Sequence, residues 1–259
     1  MNDDSKHVMC GEHGAATITY VCSHLGDDPV QRWHSNRASP DNRWPDAWCD
    51  RCNAKFLRDG KWNESNSGGI DLRILCNYCY ERALGKSVLR VEGKQREIWR
   101  NFVERCSEEL RVKQETLKRE YGLTRHKRWD WDQERAEIVF SNDGVPAVTA
   151  AIQFVGSVST RSSTWLWSWA NPTTAEPVRS RIVAVYDFGE DRDFPHLTVP
   201  KWPAEEVDGW EMAAVAAHVL GASGVYRTPG DSGFTFLLLS ELRSAQCLAQ
   251  NRMRRGSPI

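Results

Sequence analysis

No stretch of the 259 residues stays apolar over the roughly 18 positions a membrane helix needs, and the longest candidate, Phe234 to Leu239, has the length of a buried strand. No charge of one sign dominates. Thirty-four Lys and Arg face 35 Asp and Glu, a formal net charge of −1 that provides no global field for nucleic acid or an anionic membrane. The opening Met-Asn-Asp-Asp-Ser-Lys lacks both the basic and the apolar region of an export signal, so a cytoplasmic location is expected. Signatures of catalysis are also missing. There is no His-Glu-x-x-His and no His-x-Glu, and Gly221-Ala-Ser-Gly224 lacks the phosphate-loop lysine and follows a helix. His126, His196 and His218 have no partners at motif spacing, and a triad with Ser157 or Ser159 has no sequence support. A protein that is not an enzyme is therefore the leading expectation.

Cysteine and tryptophan are plentiful by contrast, at eight and twelve residues. Hydrophobic residues make up 40% and charged residues 27%, the profile of a globular protein. In a reducing compartment close-spaced cysteines bind metal more often than they form disulfides. Six cysteines precede residue 80 and combine with two histidines into four pairs: Cys10-x2-His13, Cys22-x-His24, Cys49-x2-Cys52 and Cys76-x2-Cys79. Eight ligands fill two closed tetrahedral sites with no position left for water, so two structural Zn2+ ions are expected.

Cys49, Cys52, Cys76 and Cys79 form the expected all-cysteine set, with Cys10, His13, Cys22 and His24 as the second. A cross-braced pattern, with the first and third pairs sharing an ion, is the alternative, and His34 competes with His24. In a strand, Cys22 and His24 would face the same side. Asp59-Gly60 and Ser67-Gly68-Gly69 suggest a hairpin between the Cys-x2-Cys pairs, with a helix from Tyr78 to Leu84. That is the layout of a treble clef or zinc ribbon. Cys106 and Cys247 fall on apolar patterns and read as buried thiols.

Beyond Gly85–Gly93 the composition shifts. Trp99, Phe102, Val103, Cys106, Leu110, Leu117 and Tyr121 trace one helical stripe, interrupted by Lys113 and Gln114 and stopped by Gly122. Strands are expected at Trp129–Asp132, Ala136–Phe140, Ala147–Ser159 and Thr164–Ala170, with Asn142-Asp-Gly144 as a turn. Val178 to Phe188 fits helix or strand. Ala204–Leu220 reads as a helix, and Gly224–Tyr226 and Phe234–Leu239 as strands around Pro229–Gly233. Asp130, Asp132 and Glu134 could face one side and hold a divalent cation, although an exposed strand face explains them as well. Ser157, Trp165, Trp167, Trp169 and Asn171 set polar groups beside large aromatics. They form a candidate ligand groove or protein interface, with an aromatic core as the plainer reading.

Residues 95–243 resemble a widespread uncharacterised bacterial domain family. The pattern comprises Lys113-Gln-Glu115, Tyr121-Gly-Leu123, Trp129-Asp-Trp-Asp132, Ile152-Gln-Phe-Val-Gly-Ser157, Thr164-Trp-Leu-Trp-Ser-Trp-Ala-Asn171 and Gly224-Val-Tyr-Arg227. The resemblance implies an α+β domain and carries no catalytic residues. The front segment is similar to small zinc modules fused to bacterial cytosolic domains, some of which look like immunity proteins of toxin systems. The expected organisation is a zinc module at 1–88, an α+β domain at 93–245 with helices packed on an antiparallel sheet, and a basic flexible tail at 246–259. The leading expectation is a zinc-stabilised protein that binds another protein. An enzyme or small-ligand binder using a Trp-lined cleft near 156–171 is the alternative. Nucleic-acid binding would need Arg32, Arg37, Arg43, Arg51 and Lys55 on one face and is disfavoured.

Overall fold

The computed structural model describes residues 7–27, 32–39, 41–88, 93–126, 128–228, 230 and 232–244. Cys247, Pro229 and the tail 246–259 lie outside the described residues. The architecture is α+β, and the chain divides into two compact units, Met1–Arg96 with Thr198–Trp202, and Glu97–Leu197 with Pro203–Ile259.

In the first unit β1 (His7–Cys10) and β2 (Gly14–Cys22) form an antiparallel hairpin. Gly14 takes the left-handed conformation, φ 71°, that closes the intervening turn without a Cβ clash. Next come α1 (Ser23–Asp27), β3 (His34–Ser35), β4 (Ala47–Trp48), α2 (Asp50–Asp59), α3 (Glu64–Ser67), β5 (Leu72–Cys76) and α4 (Asn77–Val88). Strand β5 runs antiparallel to β2, from Cys22↔Leu72 to Ile18↔Cys76, while β4 meets β2 in parallel at Val21↔Ala47.

The hairpin expected between the Cys-x2-Cys pairs is absent. The segment is helical because Gly60, at φ 67°, ends α2, and Asn63 starts α3 through a capping box with Asn66. His24 likewise lies in α1, not on the strand of Cys22. The small core is built from Val21, Trp48, Tyr80 and Leu84. The Tyr80 hydroxyl donates to the Pro45 carbonyl at 2.8 Å, and Trp48 packs against Phe56 and Trp62.

The remaining elements are α5 (Gly93–Tyr121), β6 (Arg128–Asp132), β7 (Glu137–Asn142), β8 (Val145–Ser159), β9 (Thr164–Trp167), α6 (Glu176–Arg179), α7 (Val183–Arg192), α8 (Pro195–Thr198), β10 (Lys201–Pro203), α9 (Glu206–Leu220), β11 (Gly224–Arg227) and β12 (Gly233–Ser244). The ambiguous 178–188 segment is helical. The strand expected to reach Ala170 stops at Trp167, and Ser168–Ala170 form a 3-10 turn.

The second unit is organised on the 15-residue β8. Strand β12 pairs along one of its edges, while β7 and then β9 follow each other along the opposite edge. Strand β6 extends the sheet beyond β7, and β11 beyond β12. Val148, Ala150, Ile152 and Phe154 alternate onto one buried face with Ile138, Phe140, Leu237 and Leu239, where Leu117 of α5 and Val178 of α6 pack. The register shifts between Phe154↔Leu237 and Gly156↔Phe236, leaving Val155 as an extra residue. This β-bulge re-aims the strand. Helix α9 packs beyond it, with Gly209 so close that a Cβ there would sit 2.5 Å from Phe236.

Candidate metal centres

The eight ligand residues expected from the sequence form two clusters: Cys10, His13, Cys76 and Cys79, and Cys22, His24, Cys49 and Cys52. The ligand atoms of each lie within 4.8 Å of one another. The first pair thus joins the fourth and the second joins the third, so neither an all-cysteine set nor a first-with-third pairing forms. The reason lies in the strands. Because β5 is antiparallel to β2, Cys76 and the start of α4 arrive at the end of β2 where the Cys10–His13 turn lies. Because β4 is parallel to β2 at Val21, Cys49 emerges at the other end, beside Cys22.

Zinc bound at about 2.3 Å to sulfur and 2.0–2.1 Å to nitrogen holds tetrahedral ligands roughly 3.6–3.8 Å apart. In the first cluster His13 Nδ1 lies 3.6 Å from Cys10 Sγ, 3.4 Å from Cys76 Sγ and 3.6 Å from Cys79 Sγ, and the Cys10 and Cys79 sulfurs are 4.0 Å apart. In the second, His24 Nδ1 lies 3.5 Å from Cys52 Sγ. These donor sets fit a tetrahedral ion. His34 joins neither cluster, since its Nε2 meets Asp50 Oδ1 at 2.6 Å.

The surroundings support the ligands. The Cys49 amide donates to Cys22 Sγ at 3.3 Å, and the Cys79 amide to Cys76 Sγ at 3.4 Å. Arg82 grips both Glu12 oxygens, at 2.6 and 2.7 Å, and reaches Cys79 Sγ at 3.6 Å. Glu12 in turn lies 3.8 Å from His13 Nε2, so a carboxylate sits behind the imidazole, a common orienting arrangement at metals. Burial pushes the Cys52 thiol up to about 12 and the Cys79 thiol up to about 11, with neighbouring cysteines adding to both. The Glu12 backbone N–H, together with His13, draws Cys10 down to about 6. A bound cation would favour thiolate throughout.

The other candidates resolve differently. Asp130, Asp132 and Glu134 form no ligand group, and among the described residues the two Cys/His clusters are the only sets found. Asp132 accepts from the backbone of Glu134 and Arg135 in a turn. Trp165 and Trp167 are fully buried and Trp169 nearly so, which removes them from any surface groove. Trp165 lies edge-on to Trp167 at 5.1 Å and covers Gly156, while Trp169 meets Tyr186 at 4.9 Å. Asn171 Oδ1 accepts from the Thr173 amide at 3.1 Å, fixing a turn, and Ser157 is half-buried on β8. The cleft expected at 156–171 is therefore filled by its own indoles.

Two polar residues of the family pattern have structural tasks that local spacing did not reveal. Gln114 Nε2 donates to Val225 O at 2.9 Å while its Oε1 accepts from Val225 N at 3.1 Å, so one amide closes the edge of β11. Gln153 donates to Pro177 O at 3.0 Å and accepts from Arg181 N at 3.2 Å, tying the helical segment to β8. The only sequence signal was the polar break that Lys113 and Gln114 make in an apolar stripe. Lys113 itself donates to Ala222 O at 2.8 Å. Cys106 is buried without a metal-ligand group around it, and burial raises its thiol to about 12.

Fold and site together define an α+β protein with two Cys3His clusters able to hold metal, set ahead of an antiparallel-sheet domain. The chain belongs to DUF6882, a family of unknown function whose model matches residues 100–242. Comparison with curated proteins and with solved structures gave no match. No helix is long and apolar enough to cross a membrane among the described residues.

Proposed function

We propose that each cluster binds one structural Zn2+ and that the protein acts by binding another protein in the cytoplasm, as an immunity protein of a bacterial toxin system would. The observation that carries the zinc reading is the convergence of four sequence-distant pairs into two sets of four whose ligand atoms lie within 4.8 Å of one another. Three thiolates and an imidazole suit Zn2+, and a fully ligated ion has no open position for catalysis. The protein-binding reading is supported by an exposed apolar strip on the first unit. Tyr20 and Ile74 face each other across β2 and β5, at 39% and 51% exposure, and Leu72, two residues along, is 62% exposed. Adjacent apolar side chains left in solvent on one sheet face mark contact surfaces.

The test compares affinity isolation from the native host with wild-type protein, the Ile74→Glu variant and zinc-stripped protein, with metal measured in each. One stoichiometric partner, lost with Ile74→Glu while two zinc ions per chain remain, is the expected result. Equal recovery with Ile74→Glu overturns the assigned surface, and no partner at all overturns the binding role. A second reading, a small-ligand binder, rests on a cavity of about 490 Å³ in the second unit. Leu110, Leu117, Trp210, Ala214 and Tyr226 form its apolar walls. Its size falls within the range of ligand pockets, and Ala214→Phe would fill it and abolish any ligand-induced thermal shift.

A further inference from the structure

The two clusters share a composition but differ in access. In one, Cys22, Cys49 and Cys52 are 1%, 0% and 1% exposed, and only His24 is partly accessible. In the other, Cys76 is buried at 3% while Cys10, His13 and Cys79 are all partly exposed. The sulfurs of Cys10 and Cys79 are 4.0 Å apart, so about 2 Å of approach would bring them to disulfide bonding distance. Cys10 ends β1 and Cys79 lies in the first turn of α4.

From this contrast we infer that the two zinc ions are inequivalent: Cys10 and Cys79 are an oxidation site through which hydrogen peroxide ejects one ion, while the Cys22–His24–Cys49–Cys52 ion stays bound. The inference rests on the zinc reading above. In the reaction, the thiolate of Cys10 or Cys79 attacks a peroxide oxygen. The O–O bond breaks, hydroxide leaves and a sulfenic acid forms. The remaining thiolate attacks that sulfur, forming the S–S bond as the S–O bond breaks and a second hydroxide leaves. The two sulfurs together lose two electrons, the peroxide gains two, and Zn2+ departs with its oxidation state unchanged. Cys76 and His13 then retain too few ligands to hold the ion. At the buried cluster the same chemistry requires peroxide to reach sulfurs that solvent does not touch.

The test uses the full chain as purified, after its zinc content is measured. Hydrogen peroxide is added in small excess beside a chromogenic zinc indicator, and disulfides are then mapped by mass spectrometry. One zinc per chain should be released in a fast phase, with a Cys10–Cys79 disulfide as the product, and a thiol reductant plus zinc should restore the starting state. Cys79→Ser protein should start with one zinc per chain and release none in that phase. Release of both ions at one rate, a first disulfide among Cys22, Cys49 and Cys52, or no release under conditions that oxidise free thiol would each overturn the inference. Protein that binds no zinc at all would instead defeat the zinc reading on which it stands.

Discussion

At the scale of single residues, positions with no chemistry of their own hold the second unit in register. The Gln114 amide replaces a neighbouring strand at Val225, so Gln114→Ala leaves a backbone donor and acceptor without their partner. A loss of about 1–3 kcal/mol is expected, measurable as a lower urea midpoint with unchanged slope. At Gly224 an added Cβ would lie 2.2 Å from Leu117 Cδ1 and 2.7 Å from Gln114 Oε1, so Gly224→Ala should cost about as much by displacing the Leu117 and Gln114 side chains from their places. His196 makes a pH prediction. It is half-buried, its ring stacks on Trp99 at 5.2 Å, and desolvation lowers its pKa from 6.5 to about 4. The folded state therefore binds fewer protons than the unfolded state between those values, and stability must rise with pH across that window. The contribution is fully present above about 6.5 and lost as pH falls toward 4, a span worth about 3 kcal/mol. Stability profiles of wild type and His196→Phe should diverge through this window and run parallel above it.

Among the elements, β8 carries the largest share of the second unit, and its bulge at Val155 decides what each half of the strand can pack against. Gly156→Ala would press a Cβ to 2.5 Å from Trp165 and 2.6 Å from the Leu166 carbonyl, and backbone cannot yield as a side chain can. A drop in thermal midpoint with loss of the near-ultraviolet tryptophan signal is expected. Most of this unit was legible in the sequence. Helix α5 ends where Gly122 stops it, at φ 56°, and α9 ends at Gly221, φ 64°. The Asn142-Asp-Gly144 turn separates β7 from β8 as expected. Apolar period and turn chemistry are local properties, and they sufficed there. The Trp165–Trp169 segment was harder, because an aromatic run gives the same pattern whether it lines a groove or fills a core. Only the opposing elements, with Phe236 at 5.8 Å from Trp165 and Tyr186 against Trp169, distinguish the two. In the first unit the ligand residues were visible from spacing, but their pairing was not. It depends on β5 running antiparallel and β4 parallel to β2, relations between strands up to some fifty residues apart that no local spacing encodes.

For the molecule as a whole, the two units rest on different sources of stability. The second has a continuous apolar core, whereas the first has a small one and two Cys/His clusters able to hold metal. Chelation should therefore melt the first unit and leave the second with its own cooperative transition, so that calorimetry of the chelated protein shows the second unit's step and lacks the first unit's step that the metal-loaded protein shows. Cys49→Ala, which removes one buried ligand, should lower the zinc content by one per chain and destabilise the first unit selectively. The pairing of ligands also sets an order of events during synthesis. Because the second and third pairs are enclosed between the first and fourth, a nascent chain can close the buried cluster as soon as residue 52 has emerged, while Cys10 and His13 wait unclaimed until residue 79 follows. The module would be tied from the inside outward, and the last knot to be made is also the one nearest the solvent.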